Sequence, residues 1–126
     1  AACTQDAMKP GYEAAADVLN CKIAEYTKAV VQDRPSFHIS LAMDISPNCD
    51  CHPENDTPIV NDIGMFASFD PVAIDQACLD LVYAAKDDPG RDHLIERIES
   101  RNGVHTIECA AALGCGSREY ELIELD

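Results

Sequence analysis

Basic side chains and long apolar runs are both scarce in this sequence. Only 9 lysines and arginines stand against 23 aspartates and glutamates, which leaves a formal net charge of -14. Such a charge repels phosphate backbones and anionic lipid surfaces. No segment approaches the ~20 consecutive apolar residues of a membrane span, and no basic stretch followed by an apolar one opens the chain. We therefore expect a cytoplasmic protein that binds neither nucleic acid nor membrane.

Several motifs that would indicate a particular reaction are also missing. The sequence has no glycine-rich phosphate loop, no nucleophile elbow and no His-Glu-x-x-His helix. It also lacks the run of four closely spaced cysteines that holds a ferredoxin-type cluster. The sequence therefore predicts no particular reaction, and we do not expect an iron-sulfur cluster on this chain itself.

The composition is that of a globular protein with an unusual number of thiols. The 126 residues are 47% hydrophobic, which suits one domain over residues 1–126. Because the chain starts at Ala1 instead of a methionine, we expect a fragment of a longer protein. Seven cysteines cannot all pair within the chain, which disfavours a disulfide framework. Cys21 and Cys78 fall among apolar helical positions, and we interpret both as core packing.

Apolar periodicity predicts an α/β fold. Helices that alternate with single strands favour a small, mainly parallel or mixed sheet of about three strands, covered by helices. Asp70-Pro71 is a strong helix start, and Asn102-Gly103 and Gly114 are helix stops. The predicted helices span about residues 12–31, 70–86, 92–101 and 106–113, and the predicted strands span 37–45, 63–69 and 120–125.

A proline-rich loop over residues 46–62 carries the densest group of metal-competent side chains. Cys49, Cys51 and His52 lie within four residues, and Asp44 precedes them at the end of the first predicted strand. Thiolates beside an imidazole suit zinc, iron or nickel, so we predict a transition-metal site here. Three alternatives stay open, namely a polar loop with incidental thiols, a redox-active thiol pair, and a cysteine nucleophile paired with His52.

Two further residues are candidates for the same site. His105 follows the Asn102-Gly103 stop, where it can serve as a distal ligand or a general base, or else as a hydrogen-bonded residue at a helix start. Asp75 lies off the apolar stripe of its helix and is a candidate for orienting a ligand. Cys109 and Cys115 flank a short helix end without forming a cluster motif.

Two segments carry a resemblance to a known family. They are DISPNCDCHPENDTPIVNDIGMFASFDPVAIDQACLDLV at 44–82 and GVHTIECAAALGCGSREYELIEL at 103–125, and the likeness extends from about Tyr26 to the carboxy terminus. They resemble the family called domain of unknown function 362, whose members are described as uncharacterised iron-sulfur centre proteins. Full-length members look like a larger α/β region with inserted ferredoxin-type motifs, followed by a segment similar to this one. The resemblance implies that this chain is a carboxy-terminal fragment and that any iron-sulfur clusters belong to the missing part.

The resemblance also bears on function. It implies a metal-binding or redox-associated domain, of a kind common in anaerobic bacteria and archaea. Cys49 and Cys51 would be ligands, and His52 or His105 the third, with Asp44 or Asp75 orienting the site. The alternative is a structural module that completes a larger α/β protein and docks an electron-transfer partner. An exposed apolar sheet face, through which the isolated chain would form a homodimer, would favour this alternative.

Overall fold

The computed structural model describes residues 15–48 and 56–125 of the chain. Helices at the four predicted places are confirmed, as are the first two predicted strands. No helix in the described ranges is long and apolar enough to cross a bilayer. In chain order the elements are α1 (Ala16–Val31), β1 (His38–Ala42), β2 (Gly64–Ser68), α2 (Pro71–Ala84), α3 (Arg91–Ser100) and α4 (Val104–Ala112).

Strands β1 and β2 form a two-stranded antiparallel sheet, in which Leu41 lies opposite Met65. The prediction of a mainly parallel or mixed sheet is wrong. A parallel pair needs a long crossover connection, usually a helix. The described parts of the connection, residues 43–48 and 56–63, contain no helix, and the Ile63 N–H donates to the Ala42 carbonyl at 2.8 Å where the two strands meet.

The predicted third strand is also wrong, since residues 120–125 pair with no strand in the described part of the chain. The chain from residue 116 onward, which we call the tail, instead contacts α2 through its first few residues. The Arg118 Nε donates to the Gln76 Oε1 at 2.8 Å, and the Tyr120 hydroxyl donates to the Asp80 carboxylate at 2.8 Å. The apolar pattern of the tail predicts an extended backbone, but it does not indicate whether the tail contacts a strand or a helix.

Helix α2 begins as the sequence predicts. The Asp70 carboxylate accepts from the N–H groups of Val72 and Ala73 at 2.8 and 2.9 Å, and proline occupies the first helical position. Its second oxygen accepts from the Ser117 N–H at 2.8 Å. A Cβ at Gly116 would lie 1.9 Å from this carboxylate, so the close approach requires glycine. Asp70 therefore both starts α2 and fixes the tail.

The core forms where α4 packs against α1 and α2. It is a small cluster of buried side chains, with Leu79, Cys109 and Leu113 packed around it. Small side chains let the helices approach closely, which brings polar groups of α1 and α4 within reach of each other. The buried members are Ala24, Val72, Ile107 and Ala110.

Helices α1 and α4 run side by side in the same direction. Near their starts, the buried Asn20 amide of α1 donates to the carbonyls of Arg101 and Asn102 at 3.1 and 2.8 Å. Near their ends, the Lys28 ammonium group donates to the Leu113 carbonyl. Because both ends are tied by hydrogen bonds, the register of α1 against α4 is fixed.

Two apolar surfaces face outward. Strands β1 and β2 turn His38, Ser40 and Phe66 toward α2, while Ile39, Leu41 and Met65 lie 63%, 62% and 71% exposed on the opposite side, which we call the outer sheet face. On α1, the regular apolar stripe that predicted the helix is also exposed. Its members are Leu19, Ile23, Tyr26 and Val30.

Candidate metal centre

Two cysteines and a histidine converge between α1 and α4. The Nε2 of His105 lies 3.4 Å from the Sγ of Cys21 and 3.5 Å from the Sγ of Cys109. One ligand atom from each of the three residues falls within 4.8 Å of the other two. All three side chains are half-buried, so the group is sheltered but open to solutes. Among the described residues, no other set of three cysteine, histidine or carboxylate side chains is this compact.

The secondary structure explains the convergence. His105 and Cys109 are four residues apart on α4, which puts both side chains on one face, one turn apart. Cys21 comes from the second turn of α1, three residues before Ala24. Ala24 is completely buried against α4, and its small side chain allows the two helices to lie close together. The thiol of Cys21 therefore reaches the pair on α4.

The two sulfurs of this cluster are joined as a disulfide across a sequence separation of 88 residues. The Cα atoms are 5.4 Å apart, within the usual range for natural disulfides. When the bond is reduced, two thiols stand beside one imidazole nitrogen. Thiolate and imidazole ligands in this number suit zinc and other thiophilic transition metals. The residues present therefore fit a metal ion.

A carboxylate holds the other side of the imidazole. The Oε2 of Glu108 lies 3.2 Å from the Nδ1 of His105, and its Oε1 lies 3.5 Å from the Arg118 guanidinium. A proton on Nδ1 is favoured by this carboxylate, which leaves the lone pair of Nε2 directed at the sulfurs. Carboxylate, imidazole and metal commonly occur in this order, because the carboxylate fixes the ring and raises its basicity.

Replacing Glu108 by glutamine is expected to weaken Zn²⁺ binding by the reduced protein about 10–100-fold, the usual cost of losing a partner behind a metal ligand. The substitution keeps the size of the side chain but removes its charge from the Nδ1 side of His105. Competition with a chromogenic chelator measures the affinity. Glu96→Gln, on the exposed side of α3, is the matched control and should leave the affinity unchanged. Equal affinities in Glu108→Gln and the unmodified protein would contradict the orienting role.

The predicted loop site lies outside the described residues. Cys49, Cys51 and His52 all belong to the segment 49–55, so their role as ligands stays a prediction. The two ends of this segment are close, because the Asn48 amide donates to the Asp56 carboxylate at 2.6 Å. Arg97 of α3 also donates to the Pro47 carbonyl and the Asn48 side chain, at 3.1 and 2.9 Å. The residues that flank this segment are therefore anchored to each other and to α3.

The two predicted carboxylates lie apart from the convergent cluster. Asp44 is exposed after β1, and its N–H donates to the Asp62 carboxylate at 3.0 Å. Asp75 projects from α2 near His38 of β1. Loss of water raises the pKa of the Asp75 carboxyl, and the charge of His38 opposes that shift. Neither carboxylate belongs to the group formed by the two cysteines and the histidine.

Of the three convergent residues, the sequence predicts only His105 as a site residue, and Cys21 and Cys109 were not expected there. It assigned Cys21 to core packing and found no cluster motif at Cys109. One signal was present, because a histidine and a cysteine four residues apart share a face if both are helical. The predicted helix began at Thr106, whereas α4 begins at Val104 and includes His105 in its first turn. Because the predicted helix starts two residues too late, it leaves out His105, and the shared helix face of His105 and Cys109 is not evident from the prediction.

Comparison with known proteins identifies the family. The model of the family described as Domain of unknown function (DUF362) matches residues 2–80, more than half of the chain. The match includes Cys21 and the loop thiols and ends within α2, before His105 and Cys109. It therefore starts earlier and ends earlier than the resemblance seen in the sequence. No curated protein and no solved structure matches the chain. The chain belongs to the DUF362 family.

Proposed function

We propose that this chain is a metal-binding, redox-associated domain in which Cys21, Cys109 and His105 hold one thiophilic transition-metal ion. The observation that carries the proposal is the convergence of two sulfurs and the His105 Nε2 within 4.8 Å. Two thiolates neutralise the charge of a divalent ion, and the imidazole supplies a third ligand. Zinc, iron and nickel all accept this donor set.

Three protein ligands leave a fourth coordination position open. Structural zinc sites are usually closed by four protein ligands, whereas catalytic sites keep one position for water or substrate. The half-buried setting of the cluster allows a small ligand to enter. Because one coordination position is open, we favour a metal ion that binds an exchangeable ligand. A purely structural metal ion is less consistent with three protein ligands.

The loop thiols are a second site for the same function. Cys49, Cys51 and His52 have the right chemistry, and the residues on either side of their segment are held by hydrogen bonds. In the proposed function, the iron-sulfur clusters expected from the resemblance belong to additional polypeptide. This domain exchanges electrons with those clusters. Cytoplasmic location in an anaerobe suits thiolate ligands, because reducing conditions keep cysteines free.

Elemental analysis of the reduced protein, prepared without oxygen or chelator, tests the proposal. We expect about one equivalent of zinc, iron or nickel, since the donor set holds one ion. The Cys21→Ser/Cys109→Ser double variant should lose it, and the Cys49→Ser/Cys51→Ser double variant should retain it. Loss in the loop variant alone would transfer the site to the loop. Absence of metal from the unmodified protein would contradict both assignments.

A second candidate function, a structural module that docks other polypeptide, is favoured by the outer sheet face. Ile39, Leu41 and Met65 are exposed there, and Phe37 and Phe69 at the strand ends pack edge to face with ring centres 5.0 Å apart. Together these side chains form an exposed apolar patch of the kind that marks protein–protein contacts. We propose a second copy of the chain as the occupant, because a two-fold axis makes such a face self-complementary.

Replacing Leu41 by lysine is expected to keep the chain monomeric. The charge would be buried without a partner in the centre of the dimer interface, which costs several kcal/mol. Light scattering over a concentration series measures the mass of the unmodified protein and its variants. Ile123→Lys, in the exposed tail, is the matched control and should leave the dimer intact. A monomeric unmodified protein at every concentration would contradict this second candidate.

A further inference from the structure

The disulfide and the proposed metal site use the same two sulfurs. Cys21 and Cys109 are bonded to each other in the structure, while reduction leaves them as two of the three ligands. A sulfur in a disulfide carries no thiolate charge and is a poor metal ligand. The two states therefore exclude each other. This relation depends on the proposed function for its metal-bound half.

The surroundings of the pair suit exchange chemistry. Both sulfurs are half-buried, so neither is sealed in the core. The His105 Nε2 lies within 3.5 Å of each sulfur. The helices that carry the cysteines are tied at both ends by Asn20 and Lys28. They keep the sulfurs together whether or not the bond is present.

The other described thiols differ from this pair. Cys78 lies between α2 and β1, with its Sγ 3.6 Å from the Ser40 hydroxyl, and burial raises the pKa of its thiol. Cys115 packs against the core beyond the end of α4. Of the cysteines that the structure describes, only the pair at α1 and α4 combines a partner sulfur with an adjacent imidazole.

We propose that Cys21 and Cys109 undergo reversible thiol–disulfide exchange with low-molecular-weight disulfides, and that oxidation of the pair releases the bound metal. One thiolate attacks the external disulfide, forms a mixed disulfide and expels the first external thiolate. The second cysteine then attacks the protein sulfur of the mixed disulfide and expels the second external thiolate. In total, two electrons pass from the two cysteines to the external disulfide, which is released as two thiolates. The charge of these two thiolates balances that of the released divalent ion. A dithiol reductant reverses each step.

The experiment uses the full chain, reduced, loaded with zinc and freed of excess ion. Oxidised glutathione is added with a chromogenic zinc indicator, and aliquots are alkylated and mapped by mass spectrometry without reduction. We expect one zinc released for each Cys21–Cys109 bond formed, with rebinding after dithiothreitol. Cys78→Ser should behave like the unmodified protein. Cys21→Ser should stop at a mixed disulfide between glutathione and Cys109.

The possible results separate this inference from the proposed function. If the reduced protein binds zinc but forms no Cys21–Cys109 bond after oxidation, the proposed thiol–disulfide exchange is overturned. The proposed metal site is not affected by that result. Formation of the Cys21–Cys109 bond while zinc stays bound would overturn the coupling between oxidation and metal release. It would also mean that other residues hold the zinc. A reduced protein that binds no zinc at all would overturn the proposed function and the metal release together, even if the bond still forms.

Discussion

Replacing Cys109 by serine is expected to weaken Zn²⁺ binding by the reduced protein by at least ~100-fold, because even the loss of a partner behind a ligand costs 10–100-fold. The serine hydroxyl stays protonated near neutral pH and supplies neither the charge nor the polarisability of a thiolate. Only Cys21 and His105 would then remain of the three convergent donors. Chelator competition under anaerobic conditions measures the change.

Cys78→Ser is the matched control for that experiment. It removes a half-buried thiol of the same size from α2, at the contact with Ser40, and leaves the three donors intact. Burial raises the pKa of the Cys78 thiol, so loss of its proton to a metal ion is less favourable than at an ordinary cysteine. The affinity of this variant should match that of the unmodified protein. Equal losses in Cys78→Ser and Cys109→Ser would mean that general destabilisation, and not the loss of a ligand, weakens binding.

Replacing Ile107 by alanine is expected to lower the free energy of unfolding by about 2–4 kcal/mol, the usual result of truncating a buried aliphatic side chain. Ile107 is 8% exposed and lies in the cluster where α4 meets α1 and α2. Domains of this size are stable by only about 5–15 kcal/mol, so the loss is a large share of the total. Urea unfolding of the reduced, metal-free protein measures it.

Ile123→Ala provides the comparison for this stability measurement. The same side chain is truncated, but Ile123 is 70% exposed in the tail, where substitutions usually change stability by less than about 0.5 kcal/mol. Similar unfolding midpoints for the two variants would show that the α1–α4–α2 junction is not the core of the fold. Because α4 carries both His105 and Cys109, the same result would remove the structural support for the metal site.

The two proposed functions occupy different parts of the molecule. Cys21, Cys109 and His105 lie between α1 and α4, whereas the outer sheet face lies on the side of β1 and β2 that is turned away from α2. Effects of substitutions at separate sites without shared contacts usually add. Leu41→Lys should therefore leave zinc affinity unchanged, and Cys109→Ser should leave the oligomeric state unchanged.

Local signals were sufficient to predict the helices and two strands. The Asp70-Pro71 start of α2 depends on hydrogen bonds within a few residues, and periodicity places Ile74, Ala77 and Leu94 on the inner sides of their helices. Strand direction depends on the connection between strands. The hydrogen bond from the Ile63 N–H to the Ala42 carbonyl joins residues far apart in sequence, which no local pattern encodes, and the expectation of a parallel or mixed sheet failed there.

The same limit explains the part of the site that sequence reasoning missed. Cys21 meets His105 across 84 residues of chain, and their proximity depends on the packing of Ala24 and the hydrogen bonds of Asn20. Neither a small buried residue nor a buried amide indicates its partner helix in advance. The apolar stripe on α1 pointed to a helix but not to its packing side, since Leu19 and Ile23 are exposed while Ala24 is buried.

The most direct test of the metal site is a Co²⁺ titration of the reduced Cys49→Ser/Cys51→Ser variant, in which the loop thiols are absent. We expect thiolate-to-cobalt charge-transfer absorption that saturates at about one equivalent, as a single site with two cysteine ligands requires. Adding Cys21→Ser to this variant should reduce the absorption and weaken binding. Charge-transfer absorption that is missing from the loop variant, or unaffected by the loss of Cys21, would contradict a metal centre between α1 and α4.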